Sequence, residues 1–457
     1  MKTTMGQKPR QLPRETLDVA RTVAASGAEV VDLQFSDIAG GTKGLTLPAA
    51  ALESALENGY RFDGSALTGG SRQAELDLYL MPDVSTLEVM TRHEGGSPRA
   101  RLYCSVLRHD GRPFPGDPRS TLERVLDETA AAGYDYRIGL EIEYYLLRRP
   151  EPDVSTVFAP PRDAAGYFDV GADLITGTRD EIVTTLQQMG VGVGGAHHET
   201  GPGQEELDLL PTGGIRMADQ LMTVRQVIRS VAANRGLRAT FMPKPLPDAA
   251  GSGMHLLQQL SQYPSGGDLL RASASDGTSL SDVGRHMIGG QLGHAAAACA
   301  VVCPTVNSYK RLNAGHRAPR YARWARVGEA SLIRVPAGSE DQSAMLELRS
   351  PDAMANPYLA IAVAVACALD GIRRMEVPPD PLDESLVAYD DSELERLGTP
   401  RLPENLGDAL AVLAEDDVIR TTLGDYIFDQ FLTLKRAEWA DYRRQVTPWE
   451  HERYADA

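Results

Sequence analysis

From Tyr136 to Leu147 the chain alternates with a period of two, and the strand this predicts puts Arg137, Gly139, Glu141, Glu143 and Tyr145 on one face. Val30–Phe35 alternates in the same way. Leu76–Met81, Ala100–Val106, Val191–Val193, Ala239–Pro243, Gly253–Leu260 and Leu346–Arg349 read as further strands. Helical spacing marks Glu15–Ser26, Pro48–Gly59, Ser120–Ala132, Asp180–Met189 and Met217–Arg235. It continues in the Ala-rich Leu280–Ala300, Pro357–Met375, Asn405–Asp417 and Thr421–Gln445. A Ser or Thr is available to cap Ser120–Ala132. Gly and Pro gather between Asp110 and Arg119 and mark a hinge. Residues 27–110 form a small unit of strands with one helix. After it strands alternate with helices, without an internal repeat, which predicts an α+β catalytic domain with a sizeable sheet.

Length permits this division, since 457 residues can bury two or more cores. Lys plus Arg number 46 and Asp plus Glu 63, a net charge of −17. That disfavours nucleic acid or an anionic membrane as partner, because both require a positive surface. No apolar run is long enough to span a bilayer, and Met1–Glu15 is polar, without the apolar core of a secretory signal. Cys299 and Cys303 stand at helical spacing among Ala and Val and read as buried thiols, and with Cys104 and Cys367 they fit a reducing cytoplasm.

The chemistry concentrates in His197-His198-Glu199-Thr200-Gly201-Pro202-Gly203-Gln204-Glu205-Glu206. Gly and Pro prevent it from being one regular helix. Carboxylates gathered this tightly repel one another unless a cation sits among them, and Mg²⁺ or Mn²⁺ takes oxygen ligands. A solvated acidic loop is the plainer reading. Glu141 and Glu143 project from one face of their strand, like charges that burial makes costly without a cation. His255 opens a strand after Gly251-Ser252-Gly253-Met254, and Glu347 shares a face with Arg349. A structural histidine and a structural ion pair are the alternatives for these two. Together with the acidic stretch they offer enough carboxylate and imidazole ligands for two hard-metal sites.

Further motifs follow the same order as in a known family. They are Phe62-Asp63-Gly64-Ser65, Glu141-Ile142-Glu143, His197-His198-Glu199, Phe241-Met242-Pro243-Lys244-Pro245 and Gly251-Ser252-Gly253-Met254-His255. Asn307-Ser308-Tyr309-Lys310-Arg311-Leu312, Ile333-Arg334-Val335-Pro336, Glu347-Leu348-Arg349-Ser350-Pro351-Asp352 and Ala355-Asn356-Pro357-Tyr358-Leu359 continue the series. In these the chain resembles the glutamine synthetase family from about residue 15 to its C-terminus. Residues 1–14 read as a flexible leader, and the resemblance implies a β-grasp domain over 15–112 and a catalytic domain over 113–457 with a curved antiparallel sheet flanked by helices. It implies a ring homo-oligomer, usually a dodecamer, with active sites shared between neighbours. Two Mg²⁺ or Mn²⁺ ions are implied, one on Glu143, Glu199 and Glu206, the other on Glu141, His255 and Glu347. Arg311 and Arg349 would hold the substrate carboxylate or its phosphorylated form, and Gly251 would contact the amino acid. Lys244 and Arg334 would serve ATP, and Asp63 would reach the ammonium site of an adjacent subunit.

Several positions depart from that pattern. Ala66 replaces a serine that helps bind ammonium. In the flap Ala314-Gly315-His316-Arg317, Arg317 replaces the glutamate that accepts a proton; His316 is the only local group that could act as a base, and a surface histidine is its plainer reading. On the phosphate side Glu329 stands where an arginine is usual, Met345 replaces another arginine, and Leu257 and Gln259 replace His and Ser. Tyr389 lies near where some relatives are adenylylated, in a motif that does not match.

These features lead to an expected function: a metal- and ATP-dependent ligase joining the γ-carboxylate of glutamate, or of a similar acid, to an amine other than ammonia. One alternative is a divergent metal-dependent biosynthetic enzyme that no longer uses ATP in the usual way, with Arg317 holding an anionic substrate and Glu329 acting as base or binding a cation. The other is a non-catalytic family member. The expected partners are the chain itself and small amino-acid and amine substrates.

Overall fold

The computed structural model describes residues 14–68, 76–90, 98–148, 165–171, 174–272, 280–313, 318–328, 330–336, 343–382 and 391–457. They divide into two compact units, one of residues up to Asp37 with Gly41–Ser120, the other of Ile38–Gly40 with Thr121–Ala457.

The first unit is built on strands β1 (Val30–Ser36), β2 (Thr42–Pro48), β3 (Tyr60–Asp63), β4 (Asp77–Pro82), β5 (Glu88–Met90) and β6 (Arg99–Leu107). They pair in the order β2-β1-β6-β4-β3, with β5 also on β6. Only β1 and β6 run parallel. The strands expected at Val30–Phe35, Leu76–Met81 and Ala100–Val106 are present, but β2, β3 and β5 lack the apolar alternation that would announce them. Along β2 only Leu47 is buried.

The second unit carries β7 (Tyr134–Arg148), β8 (Val193–His198), β9 (Gln204–Gly213), β10 (Leu237–Thr240), β11 (Met254–Gln262), β12 (Tyr321–Ala325), β13 (Ser331–Arg334) and β14 (Leu346–Leu348). The order is β12-β13-β14-β11-β7-β9-β8, with β10 on the end of β7. Only β12 and β13 run parallel. The helix Gly214–Asn234 packs on β7, β9 and β10. The helix Pro357–Arg374 is buried along most of its length and crosses Asp282–Gly293 so closely that a Cβ on Gly290 would lie 2.2 Å from the Cys367 carbonyl. Such a crossing admits only glycine.

Three expectations need correction. Asp117, not a Ser or Thr, caps the helix Pro118–Ala131: its carboxylate accepts from the Arg119 N–H at 3.1 Å and the Ser120 N–H at 3.3 Å, and Pro118 at the first helical position needs no bond of its own. The helix read over Leu280–Ala300 is two helices, Asp282–Gly293 and Ala295–Val302, broken at His294. There the ring is drawn out of line between Asp416 at 2.7 Å and Asp370 at 3.2 Å. The strand expected over Ala239–Pro243 is β10, Leu237–Thr240, which ends before Pro243 can interrupt its ladder.

Candidate active site

The acidic stretch is a β-hairpin, β8 and β9 joined by a tight turn. Glu199 N–H donates to the Gln204 carbonyl at 2.8 Å and Gln204 N–H to the Gly201 carbonyl at 2.9 Å. A Cβ at Gly201 would lie 2.0 Å from the Tyr145 hydroxyl, and Gly203 has a φ of +74°. The turn therefore requires its glycines.

Pairing then sorts the charged side chains into rows across the sheet. His197 on β8 stands opposite Glu206 on β9, and Glu206 opposite Glu143 on β7. Two residues along, Gly195 stands opposite Asp208, Asp208 opposite Glu141, and Glu141 opposite His255 on β11. In the next row Leu257 faces Glu347 on β14, and Glu347 faces Arg334 on β13. Directly paired residues share a face of the sheet, and Glu141, Glu143, His197, Glu206, Asp208, His255 and Arg334 of these rows border one cavity of about 690 Å³. Lys244, Gly251, Arg311 and Arg349 line it too, as do Tyr167 and Phe168.

The structure thus gathers all six carboxylate and imidazole residues singled out from the sequence. Glu141, His255 and Glu347 bring ligand atoms within 4.8 Å of one another. His255 Nδ1 lies 2.9 Å from Glu141 and 3.2 Å from Glu347, and its Nε2 is 3.8 Å from Glu143. Burial and Arg349 lower the His255 pKa, but the hydrogen bonds to Glu141 and Glu347 outweigh them and raise it above the ordinary value. Burial pushes the Glu347 carboxyl up, and His255, Arg349 and Arg334 overcome that and hold it well below the usual range. Glu206 is the opposite case: burial first, then Glu143, Glu141, Glu199 and Asp208, push it up to about 10. Four carboxylates raising the pKa of a fifth are the electrostatic signature of a face built around positive charge, and oxygen-rich donors with one imidazole fit Mg²⁺ or Mn²⁺.

A second layer fixes the first. Gln204, fully buried, donates from Nε2 to Glu143 at 2.9 Å and to the Gly251 carbonyl at 3.0 Å. Its Oε1 accepts from the Gly201 N–H at 2.9 Å, while the Tyr145 hydroxyl donates to the Ala250 carbonyl at 2.7 Å. His197 Nε2 lies 3.3 Å from Glu199, with Phe168 stacked on the ring at 4.0 Å and Tyr167 edge-on at 5.6 Å.

The cations have distinct roles in the fold. Arg334 and Arg349 both pair with Glu347. Arg311 is buried and donates to the Ser350, Pro351 and Arg349 carbonyls at 2.7, 3.1 and 2.9 Å, wedged against Gly251 and Gly253, where a Cβ would strike its side chain. Lys244 Nζ donates to the Ala249 carbonyl, and burial lowers its pKa. Asp63 belongs to the first unit, at the end of β3, where it accepts from the Ser65 N–H at 3.1 Å. Arg317, His316, Glu329 and Tyr389 lie outside the described residues. Sequence reasoning gave no role to His197 or Asp208. The spacing of Glu206 and Asp208, two apart on a strand, repeats that of Glu141 and Glu143 and is the signal that could have found Asp208.

Residues 27–109 match the family model of the glutamine synthetase β-grasp domain, and residues 115–454 that of the glutamine synthetase catalytic domain. A glutamine synthetase of Halobacterium salinarum is 39% identical over 436 residues, 95% of each chain. One of Staphylococcus aureus is 37% identical over 448 residues, 97% of this chain and 99% of the relative. Among solved structures, a GmaS–ADP complex superposes with a TM-score of 0.85 at 31% identity, covering 96% of this chain and all of that one. Ligand-free GmaS gives 0.82 at 32%, covering 96% and 99%.

Proposed function

Because the chain belongs to the glutamine synthetase family and is a ligase, we propose that it joins the γ-carboxylate of glutamate, or of a similar acid, to an organic amine rather than to ammonia. The observation that carries this reading is the aromatic wall beside the carboxylates. Tyr167 and Phe168 are 58% and 60% exposed, and both border the cavity next to His197 and Glu199. Exposed rings there give an alkyl or aryl substituent something to pack on, whereas ammonium has no apolar part to bury. Ala66 in place of a serine and Arg317 in place of the flap glutamate support the same reading from the sequence, since both weaken an ammonium site.

Glu143, Glu199 and Glu206 would hold one divalent ion, and Glu141, His255 and Glu347 the other. Bound ions would screen the charge that builds on a transferring phosphoryl group. The chain's own part is to orient. Gln204 fixes Glu143, His197 steadies Glu199, and Arg349 offers its guanidinium at the cavity wall where a carboxylate or acyl phosphate would lie. Arg311 acts mainly by shaping that wall, because its terminal nitrogens are engaged with backbone carbonyls. Lys244 and Arg334 are the cations available to a nucleotide.

One name supports the reading further: GmaS, a gamma-glutamylmethylamide synthetase, is solved as a complex with ADP. A reading without ATP has one specific support: Leu257 and Met345 put apolar side chains beside Glu347, where cationic or polar groups would favour a polyphosphate. Calorimetric titration with ATP at saturating Mn²⁺ separates the two. Binding in the micromolar to millimolar range, followed by phosphate release with glutamate and an organic amine, is the expected result. No detectable ATP binding would overturn the ligase mechanism.

A further inference from the structure

The face contains more ligand-type groups than two ion sites employ. His197, Glu206 and Asp208 bring one ligand atom each within 4.8 Å of one another, yet His197 and Asp208 belong to neither proposed set of three ligands. We infer that His197, Glu206 and Asp208 form a third divalent-cation site, sharing the Glu206 carboxylate with the ion on Glu143 and Glu199.

Four independent observations carry this. First, Glu206 is nine-tenths buried, in the ladder between Glu143 and His197 and two residues from Asp208 on the same strand. Carboxylates gathered in a buried place are costly unless a cation completes them. Second, Asp208 Oδ1 is fully buried without a hydrogen-bond partner. Third, the opposing strand keeps a space for Asp208: a Cβ at Gly195 would lie 2.8 Å from Asp208 Oδ2, so the glycine leaves the carboxylate where it is. Fourth, His197 is oriented as ligand imidazoles usually are, by a carboxylate contact to Glu199 at 3.3 Å and by the stacked Phe168 ring.

The charge pattern requires the same thing. Asp208 and Glu141 are directly opposite in the ladder, a pairing that like charges make unfavourable. The nearby arginines do not relieve it, since Arg334 and Arg349 pair with Glu347 and Arg311 with backbone carbonyls. One imidazole with two carboxylates favours a borderline ion such as Mn²⁺ or Zn²⁺ over Mg²⁺, which demands oxygen ligands and retains its water.

Mn²⁺ alone is the probe, and the full-length protein in its own assembly is the sample. Equilibrium binding counted by electron paramagnetic resonance of free Mn²⁺ is compared among wild type, Asp208→Asn, Gly195→Ala and Glu347→Gln, with far-UV circular dichroism to confirm folding. Three ions per wild-type chain are expected. Asp208→Asn and Gly195→Ala should each remove one, or weaken it about 10–100-fold, while Glu347→Gln affects a different ion. An anomalous Mn²⁺ peak among His197, Glu206 and Asp208 would locate it. A wild-type count of two, an Asp208→Asn profile identical to wild type, or loss of every ion from a folded Asp208→Asn protein would each overturn the site. None of these outcomes depends on which amine is used, so failure of the ligase reading and failure of this one are distinguishable.

Discussion

Asp208 and Glu141 face each other across the β7–β9 ladder, two carboxylates on one row of the same cavity wall. Opposed like charges destabilise an antiparallel pair, so the folded protein should depend on cations more than its size suggests. Chelator-treated protein is expected to melt at a lower temperature than protein in Mn²⁺. At free ion 100-fold above its dissociation constant, each site adds about 2.7 kcal/mol. Scanning calorimetry measures this, and a melting temperature indifferent to Mn²⁺ would count against ion sites on this face.

Gln204 is the tie between the hairpin turn and Glu143. Gln204→Leu keeps the volume and removes both donors. Mn²⁺ affinity is expected to fall about 10–100-fold, with a smaller loss of thermal stability. Unchanged affinity would mean that Glu143 needs no such support or binds no ion.

Tyr167 and Phe168 should set amine selectivity. Phe168→Ala is expected to raise KM for an organic amine about 10-fold, the scale of a lost apolar contact, and to narrow the preference over ammonia. KM for glutamate should move little. Equal effects on all substrates would assign the ring to His197 alone.

His294 should report on pH far from this face. A hydrogen bond to Asp416 raises its pKa, burial opposes, and Asp370 raises it further. A histidine raised in the folded state contributes stability that is complete below its unfolded value near 6.5 and is lost as pH rises through the folded value. Relative to wild type, His294→Asn is expected to cost about 1.5–3 kcal/mol at pH 6 and clearly less at pH 9, by chemical denaturation. The same cost at both would show that the imidazolium is not what holds the three helices.

Much of this site was legible because strands convert spacing into facing. The period of two put Glu141 and Glu143 on one side of β7, and the glycines before His255 marked the start of β11. What alternation cannot give is the partner strand, so the opposition of Asp208 to Glu141 and of His197 to Glu206 emerged only from the register. The exposed strand β2 left no apolar signal. The break at His294 depends on Asp370 and Asp416, which are 76 and 122 residues away. The carbonyl partners of Arg311 lie about 40 residues along the chain and are equally invisible to local pattern.

The central claim is the choice of amine, and a single competition tests it most directly. Purified protein is supplied with glutamate, ATP, Mn²⁺ and equimolar ammonium and methylammonium, and the products are resolved by mass spectrometry. The expected result is a γ-glutamyl organic amide in excess over glutamine, with phosphate released in step. Glutamine as the main product would contradict the account.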